Sequence, residues 1–144
     1  MKRNTLTSLA LFVVIIMMGA CGNNAWDELP RSISSFVSEY FPYGEVQSYT
    51  EINNGSVVKI KNGATLTFDR NYEWIDVNGN GTVLPQNFLF DKLPSTLYDY
   101  IESMESVNGV FRVSRSANII NVEFLNSAIT YDDDTGTITY PSAS

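Results

Sequence analysis

The segment Asn62-Gly63-Ala64-Thr65-Leu66-Thr67-Phe68-Asp69 occurs twice. It returns about 64 residues later as Asn126-Ser127-Ala128-Ile129-Thr130-Tyr131-Asp132, shortened by one position. The match extends on the N-terminal side. Val58 and Ile60 correspond to Val122 and Phe124. Ile33, Phe36, Val37 and Tyr40 correspond to Leu97, Tyr100, Ile101 and Met104, and Leu29-Pro30 corresponds to Leu93-Pro94. A period this long describes one α/β unit used twice.

Each unit begins with a helix. After Pro30, a residue tolerated in a first helical turn, Ile33, Phe36, Val37, Tyr40 and Phe41 fall on one helical face, and Pro42 ends the run. Strands are expected over Glu45–Glu51, Ser56–Lys61, Thr65–Asp69 and Glu73–Val77. Asn53-Asn54-Gly55 and Asn62-Gly63 lie between the first three as hairpin signals. The second unit predicts a helix over Ser95–Met104 and strands over Val110–Arg115, Ile119–Leu125, Ala128–Tyr131 and Gly136–Tyr140.

Alternation sets the buried face. Val58, Ile60, Leu66 and Phe68 share it with Val122, Phe124, Ile129 and Tyr131, whereas Lys59, Lys61, Thr65 and Thr67 point away. The expected architecture is α+β: two tandem helix-plus-four-strand repeats forming one antiparallel sheet, with two helices on one face and the other face open.

The N-terminus predicts an address. Lys2 and Arg3 precede an apolar run from Leu9 to Met18, and Met18-Gly19-Ala20-Cys21 follows. This is a secretory signal layout, and the run is too short for a spanning helix. A cysteine at the cleavage point resembles a bacterial lipobox, so residues 1–20 are read as a removed signal and Cys21 as the lipid attachment site. Residues 21–26 form a tether, 27–77 the first repeat, 78–91 a linker, 92–140 the second repeat and 141–144 a frayed tail. Phe88, Leu89 and Phe90 are too apolar for a free linker, so part of it is expected to pack.

Removing residues 1–20 leaves 124 of the 144 residues and takes away Lys2 and Arg3, moving the net charge from −7 to −9. An acidic chain without basic clusters is a poor partner for nucleic acid. Its expected contact with a membrane is through the N-terminal lipid only. Cys21 is the only cysteine, so no disulfide is expected once it is acylated.

The signal, the lipobox, the twofold Leu-Pro pattern, "YFP" and "NGATLTFD" followed by Trp74 resemble the PepSY-like lipoproteins of Bacteroidetes-type bacteria, a fold similar to the β-lactamase-inhibitor protein. The resemblance covers about Asp27 to Tyr140. It implies a helix-covered sheet, an extracytoplasmic location and a binding or inhibitory role, and no particular substrate. The chain departs from the pattern in the turn after Phe68-Asp69, where a glycine is replaced by Asn71-Tyr72; Asn enters the left-handed region readily. It also departs at Thr137, which aligns with Trp74.

Histidine is absent, which removes imidazole-based catalysis and imidazole metal sites. Asp134-Thr135-Gly136 spells an aspartic-protease triplet, but that chemistry needs two carboxylates sharing a proton, and the triplet reads as a turn. Asp76, Asn78, Asn80 and Gly81 match the first half of a calcium loop, but position 12 is Asn87 rather than Glu. Asp132-Asp133-Asp134 reads as a solvated turn. No catalytic residue, metal or cofactor is expected.

Trp74 is the residue singled out. If Ile75 is aligned with Ile138 and faces the helices, Trp74 lies on the open face with Lys59, Lys61, Thr65 and Thr67, as a candidate surface for a protein partner. In the other reading it packs beneath the linker on Phe88 or Phe90. The expected function is an envelope-anchored, protein-binding or inhibitor-like module. The alternative is a small-ligand or cation-binding lipoprotein using the Asn/Gly-rich linker.

Overall fold

The computed structural model describes residues 25–104 and 106–140. The signal, Cys21, most of the tether and the tail lie outside the described residues. A single eight-stranded antiparallel sheet runs in strict sequence order: β1 Val46–Ile52, β2 Gly55–Ile60, β3 Thr65–Asp69, β4 Trp74–Asn78, β5 Val110–Ser116, β6 Ile119–Phe124, β7 Ala128–Asp132 and β8 Thr137–Thr139. Among the described residues, three α-helices accompany it: α1 Arg31–Tyr40, α2 Gln86–Lys92 and α3 Ser95–Ser103. The first residues of β1 and β5, of β2 and β6, and of α1 and α3 are each 64 positions apart.

One apolar row crosses seven strands through directly paired residues: Tyr49, Val58, Leu66, Val77, Val113, Val122 and Ile129. All but the partly buried Tyr49 are at most 1% exposed. Ile33 and Val37 of α1, Phe88 and Leu89 of α2, and Leu97 and Ile101 of α3 close over this side as one core. Burying a side chain of this size stabilises by about 1.5–3 kcal/mol, so the row and its cover dominate the fold.

Two departures from the expected architecture concern the linker and β4. Residues 78–91 are not simply a linker. Asn78 ends β4, and Gln86–Lys92 forms the third helix, which buries Phe88 and Leu89. Before it, Gly79 N and Leu84 N donate to the Phe111 and Val110 carbonyls, both at 2.8 Å, so this stretch runs along β5.

In β4 the register slips. Thr67 pairs with Asp76, but Phe68 pairs with Trp74, leaving Ile75 as a bulge residue. Such an extra residue shifts every later side chain to the opposite face. Trp74 therefore stands on the helix side with Phe68 and is 4% exposed. The expectation that Trp74 lies on the open face is overturned. In the sheet it is opposed as Ile138 is, which pairs with Tyr131; the bulge has no counterpart between β7 and β8. Bulges at equivalent places do occur between Val46 and Ser48 and between Val110 and Arg112.

No helix among the described residues is long and apolar enough to cross a membrane.

Candidate binding surfaces

The side of the sheet away from the helices carries its own cross-strand row. Thr50, Val57, Thr67, Asp76, Ser114, Asn121, Thr130 and Thr139 are paired in turn across all eight strands. None of them is fully buried. A second row runs Ser48, Lys59, Thr65, Asn78, Arg112, Glu123 and Ala128. Short hydroxyl and amide side chains thus pave a broad surface. Lys59, Thr65 and Thr67 lie on it, and Lys61 is exposed just past the end of β2. Lys59 and Thr65 share a shallow recess with Gln47 and Asn80. Trp74 is not part of this surface.

Arg112 is the charged centre of the face. Its Nε and Nη2 donate to the two carboxylate oxygens of Asp76 at 3.0 and 2.6 Å, and Nη1 lies 3.7 Å from Glu123. The Asp76 hydrogen bond raises the guanidinium pKa further above its already high value. Asp76 is therefore held by an arginine. Asn78 Oδ1 accepts from Asn80 N, and Asn80 Nδ2 donates to Gly63 O and Thr65 Oγ1. The side chains that mimic a calcium loop thus make turn contacts within the protein. Asp132 Oδ1 similarly accepts from Asn118 Nδ2 and from the Asp134 and Thr135 amides, so the Asp134-Thr135-Gly136 triplet forms the β7–β8 turn. Among the described residues, no group of three His, Cys, Asp or Glu side chains is placed to hold a metal ion.

On the helix side, Trp74 packs edge-on to Phe88 at 5.3 Å, in a cluster with Phe36, Tyr40 and Phe68. The Arg115 guanidinium lies over the ring at 4.6 Å. Tyr40 donates to Asp91 Oδ2 at 2.9 Å, tying α1 to α2. Burial, then the Asp91 bond and charge, push the Tyr40 pKa up to about 12.

Two clefts meet at Tyr72 in the β3–β4 turn. One, of ≈ 250 Å³, lies between this turn and α1. The other, of ≈ 170 Å³, opens toward the β1–β2 turn and is lined by Tyr49, Glu51, Ser56 and Arg70. Tyr72 holds φ at 65°, whereas Asn71, the residue expected to absorb left-handed geometry here, does not. A bulky residue at positive φ is strained by roughly 1–3 kcal/mol and stays there only when its surroundings hold it. The β7–β8 turn places Gly136 at φ 74° instead. Sequence reasoning did not mark this end of the sheet. Its one signal is Ser56, a polar residue in the place that Ile120 takes in the second half.

Solved structures share the fold. One is a protein of the DUF2874 family from Bacteroides vulgatus, with TM-score 0.67 and 19% identity over 81% of this chain and 93% of that one. A second B. vulgatus protein, of unknown function, gives 0.66 and 16% over 83% and 97%. One from Bacteroides thetaiotaomicron gives 0.68 and 18% over 81% and 93%. All three are described as putative periplasmic proteins, the third also as calcium-regulated. No protein-family model and no curated protein matches the chain.

Proposed function

We propose that this chain is an envelope lipoprotein, anchored through Cys21, that binds a protein partner on the uncovered face of its sheet without catalysing a reaction. The observation that carries the reading is the asymmetry of the sheet. Three helices cover one side, while the Thr50-to-Thr139 row crosses the other with no element over it among the described residues. A wide, flat surface of short side chains costs little side-chain entropy to order against a partner. Lys59, Lys61, Thr65 and Thr67 belong to that surface; Trp74 does not.

The periplasmic descriptions of the similar structures support an envelope location. The 64-residue spacing of α1 and α3 and of the paired strands supports descent from a tandem unit, as in the PepSY-like and β-lactamase-inhibitor-like resemblance. The partner class is protein, with membrane contact through the lipid alone and no nucleic acid, given the acidic charge. A cation site in the linker has weaker support, because Asp76 and Asn80 are engaged within the fold.

The test uses the mature chain as bait in envelope extract, beside Thr67→Arg and Thr130→Arg variants. A stoichiometric partner retained by the native chain and lost by both variants, at unchanged melting temperature, supports the reading. A partner retained by both variants, or none recovered, overturns it.

A further inference from the structure

The inner face of the sheet has a polar end where the repeat calls for an apolar one. Glu51, Ser56, Phe68 and Trp74 are paired in turn across β1 to β4. The matching row in β5 to β8 is Arg115, Ile120, Tyr131 and Ile138. Ser56 thus occupies the place of a buried isoleucine. It is 1% exposed, and its Oγ has no hydrogen-bond partner among the described residues. Such an orphan inside a core is costly and calls for an explanation. Ser56 is also a wall of the ≈ 170 Å³ cleft at the β1–β2 end.

The other walls have one chemical bias. Glu51 is exposed, and no ion pair to it forms among the described residues. Asp69 Oδ1 accepts from the Asn71 and Glu73 amides and adds a second negative charge. Arg70 is the one cation of the lining, and its Nε and Nη2 are turned to the Asn53 carbonyl. Tyr49 and Tyr72 supply two aromatic rings, the second held at a strained φ. Burial raises the Tyr49 hydroxyl pKa; the Ser56 hydroxyl lies close enough to lower it, although outside good hydrogen-bond geometry, and Glu51 and Tyr72 raise it. Acceptors, rings and net negative charge converge on a small cleft.

We propose that this cleft binds a primary alkylammonium group, whose donors are met by the Glu51 carboxylate and a tyrosine hydroxyl, with the tyrosine rings beside the charge and the buried Ser56 hydroxyl backing Tyr49. An anion would meet two carboxylates, and a neutral alcohol would leave Glu51 without a counter-charge. The ligand is either a free amine or the lysine side chain of another protein. The site is separate from the bare sheet face, so either can fail without the other.

The experiment is an amide NMR titration of the mature chain with n-butylammonium, beside 1-butanol as the neutral isostere. Saturable shifts confined to residues 49–56 and 69–73, at an affinity about tenfold or more above that of butanol, are expected. Glu51→Gln and Ser56→Val should each weaken binding by about tenfold while the spectrum stays folded. Ser56→Ala replaces Ser56→Val if the larger side chain perturbs the fold. Equal response to amine and alcohol, binding unaltered in the variants, or shifts scattered over the acidic surface would overturn the proposal. A lysine peptide and its acetyl-lysine form separate the two sources. Much tighter binding of the unmodified peptide assigns the site to a protein lysine, and equal affinity for butylammonium assigns it to a free amine.

Discussion

Arg115 Nε donates to the Trp74 carbonyl at 2.7 Å while its guanidinium lies 4.6 Å from the centre of the Trp74 ring. The backbone ladder between β4 and β5 ends at Asp76 and Ser114. One side chain thus continues the seam beyond the last main-chain pair. Arg115→Ala should destabilise by roughly 1–2 kcal/mol, the range for a charged hydrogen bond with partial exposure. Arg115→Lys should recover little of this, because an ammonium has no planar fork to lie on the ring and reach the carbonyl together. Urea unfolding decides it: a midpoint shared by all three proteins would remove the seam role.

Trp74 and Phe88 should behave as core. Trp74→Ala and Phe88→Ala are each expected to cost about 3–5 kcal/mol, because both side chains are buried and mutually packed. Calorimetry of the two variants checks this. A Trp74→Ala protein that melts with the native chain would return this residue to the surface.

The strands were legible because alternation recurs in both halves and Asn-Gly turns separate the strands of the first. Thr65–Asp69 matches to the residue, and the other strands to within one residue at each end. Helix α2 was not, since the seven residues Gln86–Lys92 are too few to show a period. The phase of Trp74 was lost to one bulge, which no local preference announces. Ile75 was aligned with Ile138, whereas Trp74 holds the position opposite Phe68. Lys59, Thr65 and Thr67 were assigned the correct face because no bulge lies between them. In the sequence Ser56 reads as an ordinary strand residue; only comparison with Ile120 and its burial reveal it as unusual.

Tyr40 gives a pH signature. Its pKa is raised from 10.0 to about 12, by burial first and then by Asp91. The folded state therefore favours the neutral phenol. That contribution is complete below the unfolded value and is lost as pH rises from 10.0 toward about 12. Tyrosinate absorbance should show a phenol titrating at about 12 that Tyr40→Phe removes. Tyr40→Phe should also flatten the alkaline fall in stability. A native titration already complete near the ordinary tyrosine value would contradict the Tyr40–Asp91 bond.

Gly55 lies where the β3 backbone leaves no room for a side chain on β2. A Cβ there would sit 1.9 Å from the Phe68 carbonyl oxygen, with backbone on the other side of the clash. Gly55→Ala should therefore cost more than about 2 kcal/mol, well above an ordinary strand substitution. Gly109→Ala is the control, since nothing lies within 4 Å of its added carbon. Similar thermal midpoints for the two variants would show that the strands can separate without penalty.

The strict β1-to-β8 order has a kinetic consequence. Seven neighbouring pairs hold the sheet, and six of them join strands separated by short turns. Hairpins of that kind form in about 1–10 μs. Only β4 and β5 must find each other across residues 79–109, and this closure carries the long-range entropy that slows folding. Substitutions at Val77 and Val113, which pair at that closure, should slow refolding. Equally destabilising ones at Tyr131 and Ile138, in the last hairpin, should instead quicken unfolding.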